Sequence, residues 1–240
     1  MNKYRIVFMG TPDFGVPALE AMTLHGYQPV AIYCQPDRIN GRGRKINYSP
    51  VKSFGLSHDI PVYQPDSLKN PEEQEKLKAL SPDLLVVIAY GKILPKAVLD
   101  IPTYGAINVH ASLLPKYRGA APIQRVIIDG EKETGVTIMQ LDEGMDTGNI
   151  ISAVKMAIPP HMNAGELFDQ LGSLGARELI HVLDDLPEKL QHSIPQNQEE
   201  ASYAEKITKD MGHLDWNLPA ERLDCLIRGM NPTPGTYSFD

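Results

Sequence analysis

The chain has 240 residues, a formal net charge of −7, 42% hydrophobic and 22% charged residues, which suits a well-filled core and excludes disorder as the main state. Its 19 glycines and 20 prolines follow no period, and no run approaches the roughly 20 apolar residues of a membrane span. Met1–Arg5 does not read as a signal peptide, and two cysteines, Cys34 and Cys225, are too few for a disulfide framework, so the expectation is a globular protein of the cytoplasm.

Arg5–Met9 is a short apolar run stopped by Gly10, and Val16–His25 reads as a helix. Pro29–Cys34 is a second strand; Pro50–His58 a helix; Pro61–Tyr63 a third strand; Glu72–Leu80 a polar helix. Leu84–Ala89 is wholly apolar, as a strand buried on both faces requires. Gly105–His110 is the next strand and Ala121–Ile128 the next helix. This alternation predicts an α/β fold with a mostly parallel sheet covered by helices on both faces, binding its ligand at the carboxyl ends of the strands. Gly135–Leu141 and Ile150–Met156 alternate more strongly and read as antiparallel strands at the sheet edge. Ala164–Leu183 is a long amphipathic helix. The polar stretch 188–204 reads as a linker between a unit over 1–187 and a second over 205–240, which carries a helix near Ala220–Met230 and ends on the opening of a strand.

Charge is concentrated in residues 36–52, where Arg38, Arg42, Arg44, Lys45 and Lys52 face the single acid Asp37, a local net charge of +4 in an acidic chain. Such a stretch is either a solvated surface loop or one that grips phosphates. Gly10-Thr11-Pro12-Asp13-Phe14-Gly15 lacks the G-x-G-x-x-G spacing, and no acid stands at the tip of the second strand, so no dinucleotide is expected. Asn108 and His110, two apart at a strand end, point to one side of the sheet and could reach one substrate atom. Asp146, in the loop Asp142–Gly148, could orient His110 and favour its charged form, or the acids of that loop could simply cap a turn. Neither the histidines nor the acids have metal-site spacing, so no metal is expected.

Taken in order, Asn108-Val109-His110-Ala111-Ser112-Leu113-Leu114-Pro115 with Asp146-Thr147-Gly148 resembles the signature of folate-dependent formyltransferases. Gly10-Thr11-Pro12-Asp13-Phe14, Gln35-Pro36-Asp37-Arg38 with Gly41-Arg42-Gly43, and Ala120–Arg125 resemble the branch of that family acting on methionyl-tRNA, nearly collinearly from Ile6 to about Pro234. The resemblance implies a Rossmann-like formyltransferase fold followed by the truncated start of an OB-like barrel domain. It implies transfer of a formyl group from 10-formyltetrahydrofolate to methionine on initiator tRNA by a monomer. Asn108, His110 and Asp146 would be catalytic. Ser112, Leu113, Leu114 and Pro115, the main chain of Lys92, Ile93 and Leu94, and Asp142 with Gly144 would line the folate pocket. Arg42 would lead the tRNA contacts, with Arg38, Lys45 and Phe14. The rival readings are a formyltransferase of the same fold acting on an amino sugar nucleotide or on glycinamide ribonucleotide, a binding module without turnover, and a dehydrogenase. The Gly10-Thr11-Pro12 turn and the Gly41–Lys45 basic run argue against the glycinamide ribonucleotide enzyme and for tRNA respectively.

Overall fold

The computed structural model describes residues 3–40 and 45–239. Ile6–Gly10 (β1) is apolar and buried throughout, as its place mid-sheet requires. A single 3-10 turn at Asp13–Gly15 leads into Val16–Leu24 (α1), and Ala31–Tyr33 (β2) pairs parallel to β1 with Ala31 opposite Val7. Arg38–Asn40 (β3) and Lys45–Asn47 (β4) form an antiparallel ladder of their own. Pro50–Ser57 (α2) is capped by the Ser49 hydroxyl, which accepts from the Lys52 N–H at 3.1 Å. Val62–Tyr63 (β5) joins β2, Pro71–Ala79 (α3) follows, and Leu84–Ile88 (β6) returns to the far side of β1. Lys96–Leu99 (α4) precedes Ala106–His110 (β7), which lies parallel to β6.

After β7 come Arg118–Gly119 (β8), Pro122–Ile128 (α5), Glu133–Gln140 (β9) and Ile150–Ala157 (β10). The seven-stranded sheet runs β10-β9-β7-β6-β1-β2-β5, parallel from β7 to β5, with β9 and β10 antiparallel at one edge as their alternation predicts. Its order reverses between β1 and β6, which opens a crevice at their carboxyl ends.

Ala164–Asp184 (α6) starts in a capping box: the Asn163 side chain accepts from the Glu166 N–H at 3.0 Å, and the Glu166 carboxylate accepts from the Asn163 N–H at 2.9 Å. Its buried stripe, including Leu167, Leu171, Leu179 and Leu183, lies on α1, β9 and β10. A β-carbon added at Gly175 would stand 2.7 Å from Val109 Cγ1, so glycine lets this helix rest directly on the sheet. Leu186–Gln191 (α7), Tyr203–Ala204 (β11) and Ala220–Met230 (α8) complete the chain; β11 pairs parallel with β8, and α8 packs on α5.

Two stretches differ from expectation. Residues 36–52 contain β3, β4 and the start of α2 rather than a loop alone. Residues 188–204, expected as a linker, begin inside α7 and end in β11, with Gln196 buried between. Two- and three-residue strands are too short to show a period. Among the described residues no helix is long and apolar enough to cross a membrane.

Candidate active site

Alternation along β7 sends Ile107 and Val109 into the core shared with α6 and leaves Asn108 and His110 on the opposite face. Asn108 is half-buried between Val87 of β6 and Met139 of β9, and its side-chain amide makes no hydrogen bond among the described residues. His110 is buried, with each ring nitrogen facing a different group. Its Nε2 lies 2.9 Å from the main-chain oxygen of Tyr117, and because a carbonyl only accepts, Nε2 carries the hydrogen. Its Nδ1 lies 3.6 Å from Asp146 Oδ2, which also accepts from the Gly119 N–H at 2.8 Å.

That geometry has a consequence for charge. With Nε2 committed as donor, a neutral ring would turn a lone pair toward the Asp146 carboxylate, whereas an imidazolium turns an N–H toward it. Nδ1 is therefore the ring nitrogen left to exchange a proton with Asp146 or a substrate. At 3.6 Å the pair stops short of a hydrogen bond, so an oxygen arriving nearby can compete for the Nδ1 proton. Both residues that face the ring carry left-handed backbone, Tyr117 at φ 59° and Asp146 at φ 53°. Such values are uncommon outside glycine, and they cluster where structure is held for function. The Tyr117 hydroxyl donates to Glu131 at 3.3 Å; burial, then Asp129 and Glu131, push its pKa above the ordinary phenol range, so it stays neutral.

The segment following β7 is pinned from within. Ser112 is fully buried and donates to the Lys116 oxygen at 2.7 Å, while Thr137 of β9 donates to the Ser112 oxygen at 2.7 Å and accepts from the Leu114 N–H at 3.1 Å. Leu113 and Pro115 remain half-exposed. Across the neighbouring strand, Thr11 and Gln35 both donate to the Tyr90 oxygen, at 3.3 and 3.0 Å, lacing the turn after β1 to the segment after β6. Lys92 spends its ammonium on the Pro65 and Asp66 oxygens, Leu94 is buried, and Ile93 is 83% exposed.

The structure thus brings Asn108, His110 and Asp146 together at the end of β7, with Ser112–Pro115 and Lys92–Leu94 leaving the ends of adjacent strands. Asp142 Oδ1 is occupied by the Gly144 N–H at 2.9 Å and the Thr147 hydroxyl at 2.7 Å. Asp142 lines a cleft of about 270 Å³ with Lys96, Asp100, Tyr104 and Gln140, and neither Ser112–Pro115 nor Lys92–Leu94 is in its walls. Phe14, expected at the methionyl group, sits in the core edge-on to Phe168 with ring centroids 5.1 Å apart. Arg42 lies outside the described residues, and of Arg38 and Lys45 the main chain alone is described. Among the described residues no three His, Cys, Asp or Glu side chains converge as a metal would need. The sequence marks 111–122 as a Pro- and Gly-bracketed loop where a binding site is expected, but the roles of Tyr117 and Gly119, which act through main-chain atoms, and of the remote Gln196 were missed.

Residues 4–183 match the family described as Formyl transferase, and residues 206–239 match Formyl transferase, C-terminal domain. The chain is 52% identical to the methionyl-tRNA formyltransferase of Caldanaerobacter subterraneus subsp. tengcongensis, covering 98% of this chain and 76% of that relative. It is 50% identical to the enzyme of the same name from Marinobacter nauticus, covering 98% and 75%. The chain belongs to the methionyl-tRNA formyltransferase family. Among solved structures, the N-formyltransferase of Helicobacter canadensis, in complex with folinic acid and dTDP-3-aminofucose, superposes with a TM-score of 0.71 at 21% identity over 95% of this chain and 80% of that one. At that identity the likeness shows the shared fold alone.

Proposed function

We propose that the chain transfers the formyl group of 10-formyltetrahydrofolate to the α-amino group of methionyl initiator tRNA, as a monomer in the cytoplasm. The observation that carries this reading is the Asn108 amide, without a hydrogen-bond partner among the described residues and two residues from a His110 whose Nδ1 faces Asp146. Attack of the amine on the formyl carbon produces a tetrahedral intermediate bearing an oxyanion. The amide hydrogens of Asn108 donate to that oxygen, and the Nδ1–H of His110 supplies a second donor when an oxygen displaces Asp146 as its neighbour. The proton lost by the amine ends on N10 of the departing tetrahydrofolate. His110 is placed to relay it through Nδ1, giving a proton to N10 and taking the one the amine loses, with Asp146 beside it.

In this reading Ser112–Pro115, the main chain of Lys92–Leu94, and the loop of Asp142 and Gly144 receive the folate, with exposed Ile93 offering apolar surface to its ring. Residues 1–187 form the catalytic unit, and 205–240 belong to a C-terminal tRNA-binding domain. Arg42, Arg38 and Lys45 supply phosphate contacts from the strongly basic stretch.

The test is formylation of methionyl initiator tRNA with 10-formyltetrahydrofolate at low and moderate salt. Transfer that falls steeply with salt is expected. Absence of transfer to methionyl-tRNA, with transfer to an amino sugar nucleotide in its place, would overturn the assignment.

A further inference from the structure

Arg118 and Gln196 are both buried, at 1% and 7% exposure, although one is charged and the other comes from a stretch whose composition is that of a linker. Arg118 Nε and Nη2 both donate to Gln196 Oε1, at 3.0 and 2.6 Å, and Nη1 donates to Gln198 Oε1 at 2.8 Å. A guanidinium can only donate, so the oxygen of the Gln196 amide must face it and the nitrogen must face away. That nitrogen donates to the main-chain oxygens of Asp146 at 2.9 Å and Gly148 at 2.7 Å. Both oxygens belong to the loop that presents Asp146 to His110. The same distant segment holds the opposite wall: Ser202 accepts from the Tyr117 N–H with its hydroxyl and from the Arg118 N–H with its carbonyl, both at 2.9 Å.

We propose that Gln196, oriented by Arg118, is a positioning residue for formyl transfer. Asp146 is fixed at two points: its main-chain oxygen by Gln196, its carboxylate by the Gly119 N–H. Its left-handed backbone is therefore held from both sides, and the distance to His110 Nδ1 depends on an amide 50 residues further along the chain. The catalytic consequence rests on the transfer reading above; the positioning itself does not.

Gln196→Glu separates the two halves of this arrangement. A carboxylate keeps the contact to Arg118, now with opposite charge, but has no hydrogen for the Asp146 and Gly148 oxygens. A residue that served only to satisfy Arg118 would tolerate this change. A positioning residue would not: kcat should fall about 10²-fold, the scale of a misplaced catalytic group, with KM for methionyl-tRNA and for 10-formyltetrahydrofolate close to wild type. In the same variant, hydrogen exchange at the Gly119 amide should accelerate, because its acceptor has moved. That amide reads the position of Asp146 without any turnover. Wild-type kcat in Gln196→Glu, or unchanged Gly119 exchange, would overturn the proposal. If the variant fails to fold, the wild-type chain decides: slow exchange at Gly119 supports a fixed Asp146, and exchange at the rate of an open loop overturns it. A wild-type chain inactive on methionyl-tRNA whose Gly119 amide still responds to Gln196→Glu would refute the transfer reading and leave the positioning intact.

Discussion

Gly119 and Asp146, 27 residues apart, meet through one hydrogen bond, the Gly119 N–H donating to Asp146 Oδ2 at 2.8 Å. The same oxygen is the one that faces His110 Nδ1. Asp146→Asn isolates the value of the negative charge. An amide oxygen in the place of Oδ2 can still accept from Gly119 and face Nδ1, but the negative charge is gone. The variant should fold as wild type and lose about 10²- to 10⁴-fold in kcat, the range of a general acid–base contribution. Steady-state kinetics with near-normal kcat would remove the relay from the mechanism.

Asn108 offers a cleaner separation of catalysis from stability. Its amide has no protein partner to lose among the described residues, so Asn108→Ala should leave the melting temperature almost unmoved. The expected loss is about 10²- to 10³-fold in kcat, as for removal of an oxyanion donor. A drop in thermal stability with normal turnover would show that this side chain serves the fold instead.

The basic stretch is tested through its salt dependence. Arg42→Ala should weaken methionyl-tRNA binding and reduce the slope of log K against log salt by about one, the signature of a lost phosphate contact. Transfer to a small amine acceptor should not change. Equal losses on tRNA and on the small acceptor would place Arg42 elsewhere.

At the foot of that stretch, the Lys52 ammonium bonds Asp37 directly and Gln64 Oε1 at 2.7 Å, and Gln64 donates to Asp37 Oδ1 at 3.0 Å. The Lys52 hydrogen bond, then that of Gln64, holds the Asp37 carboxyl below its ordinary value. A depressed folded value means that the stabilisation is complete above the unfolded carboxylate pKa, about 4, and is lost as pH falls through the lower folded value. Denaturant titrations from about pH 6 downward should therefore show a steeper acid loss in wild type than in Asp37→Asn. Parallel curves would assign that acid sensitivity to other carboxylates.

Much of the architecture was legible because it is written in local pattern. The unbroken apolar runs of β1 and β6 announce strands buried on both faces, and the alternation in β10 announces an edge. β8 and β11 were not legible, since two residues carry no period and their pairing joins segments far apart in the chain.

For the site, the sequence by itself determined that Asn108 and His110 share a face, because a strand repeats every two residues. It also supplied the formyltransferase signature and the concentration of positive charge in residues 36–52. Tertiary structure alone decided which acid meets the histidine, which side of the Gln196 amide faces the guanidinium, and that Phe14 belongs to the core. The reason is the range of the forces. Periodicity and turn chemistry act between neighbours in sequence, whereas the ties at Asp146 join groups 27 and 50 residues apart, and they exist only once the sheet has brought their loops together.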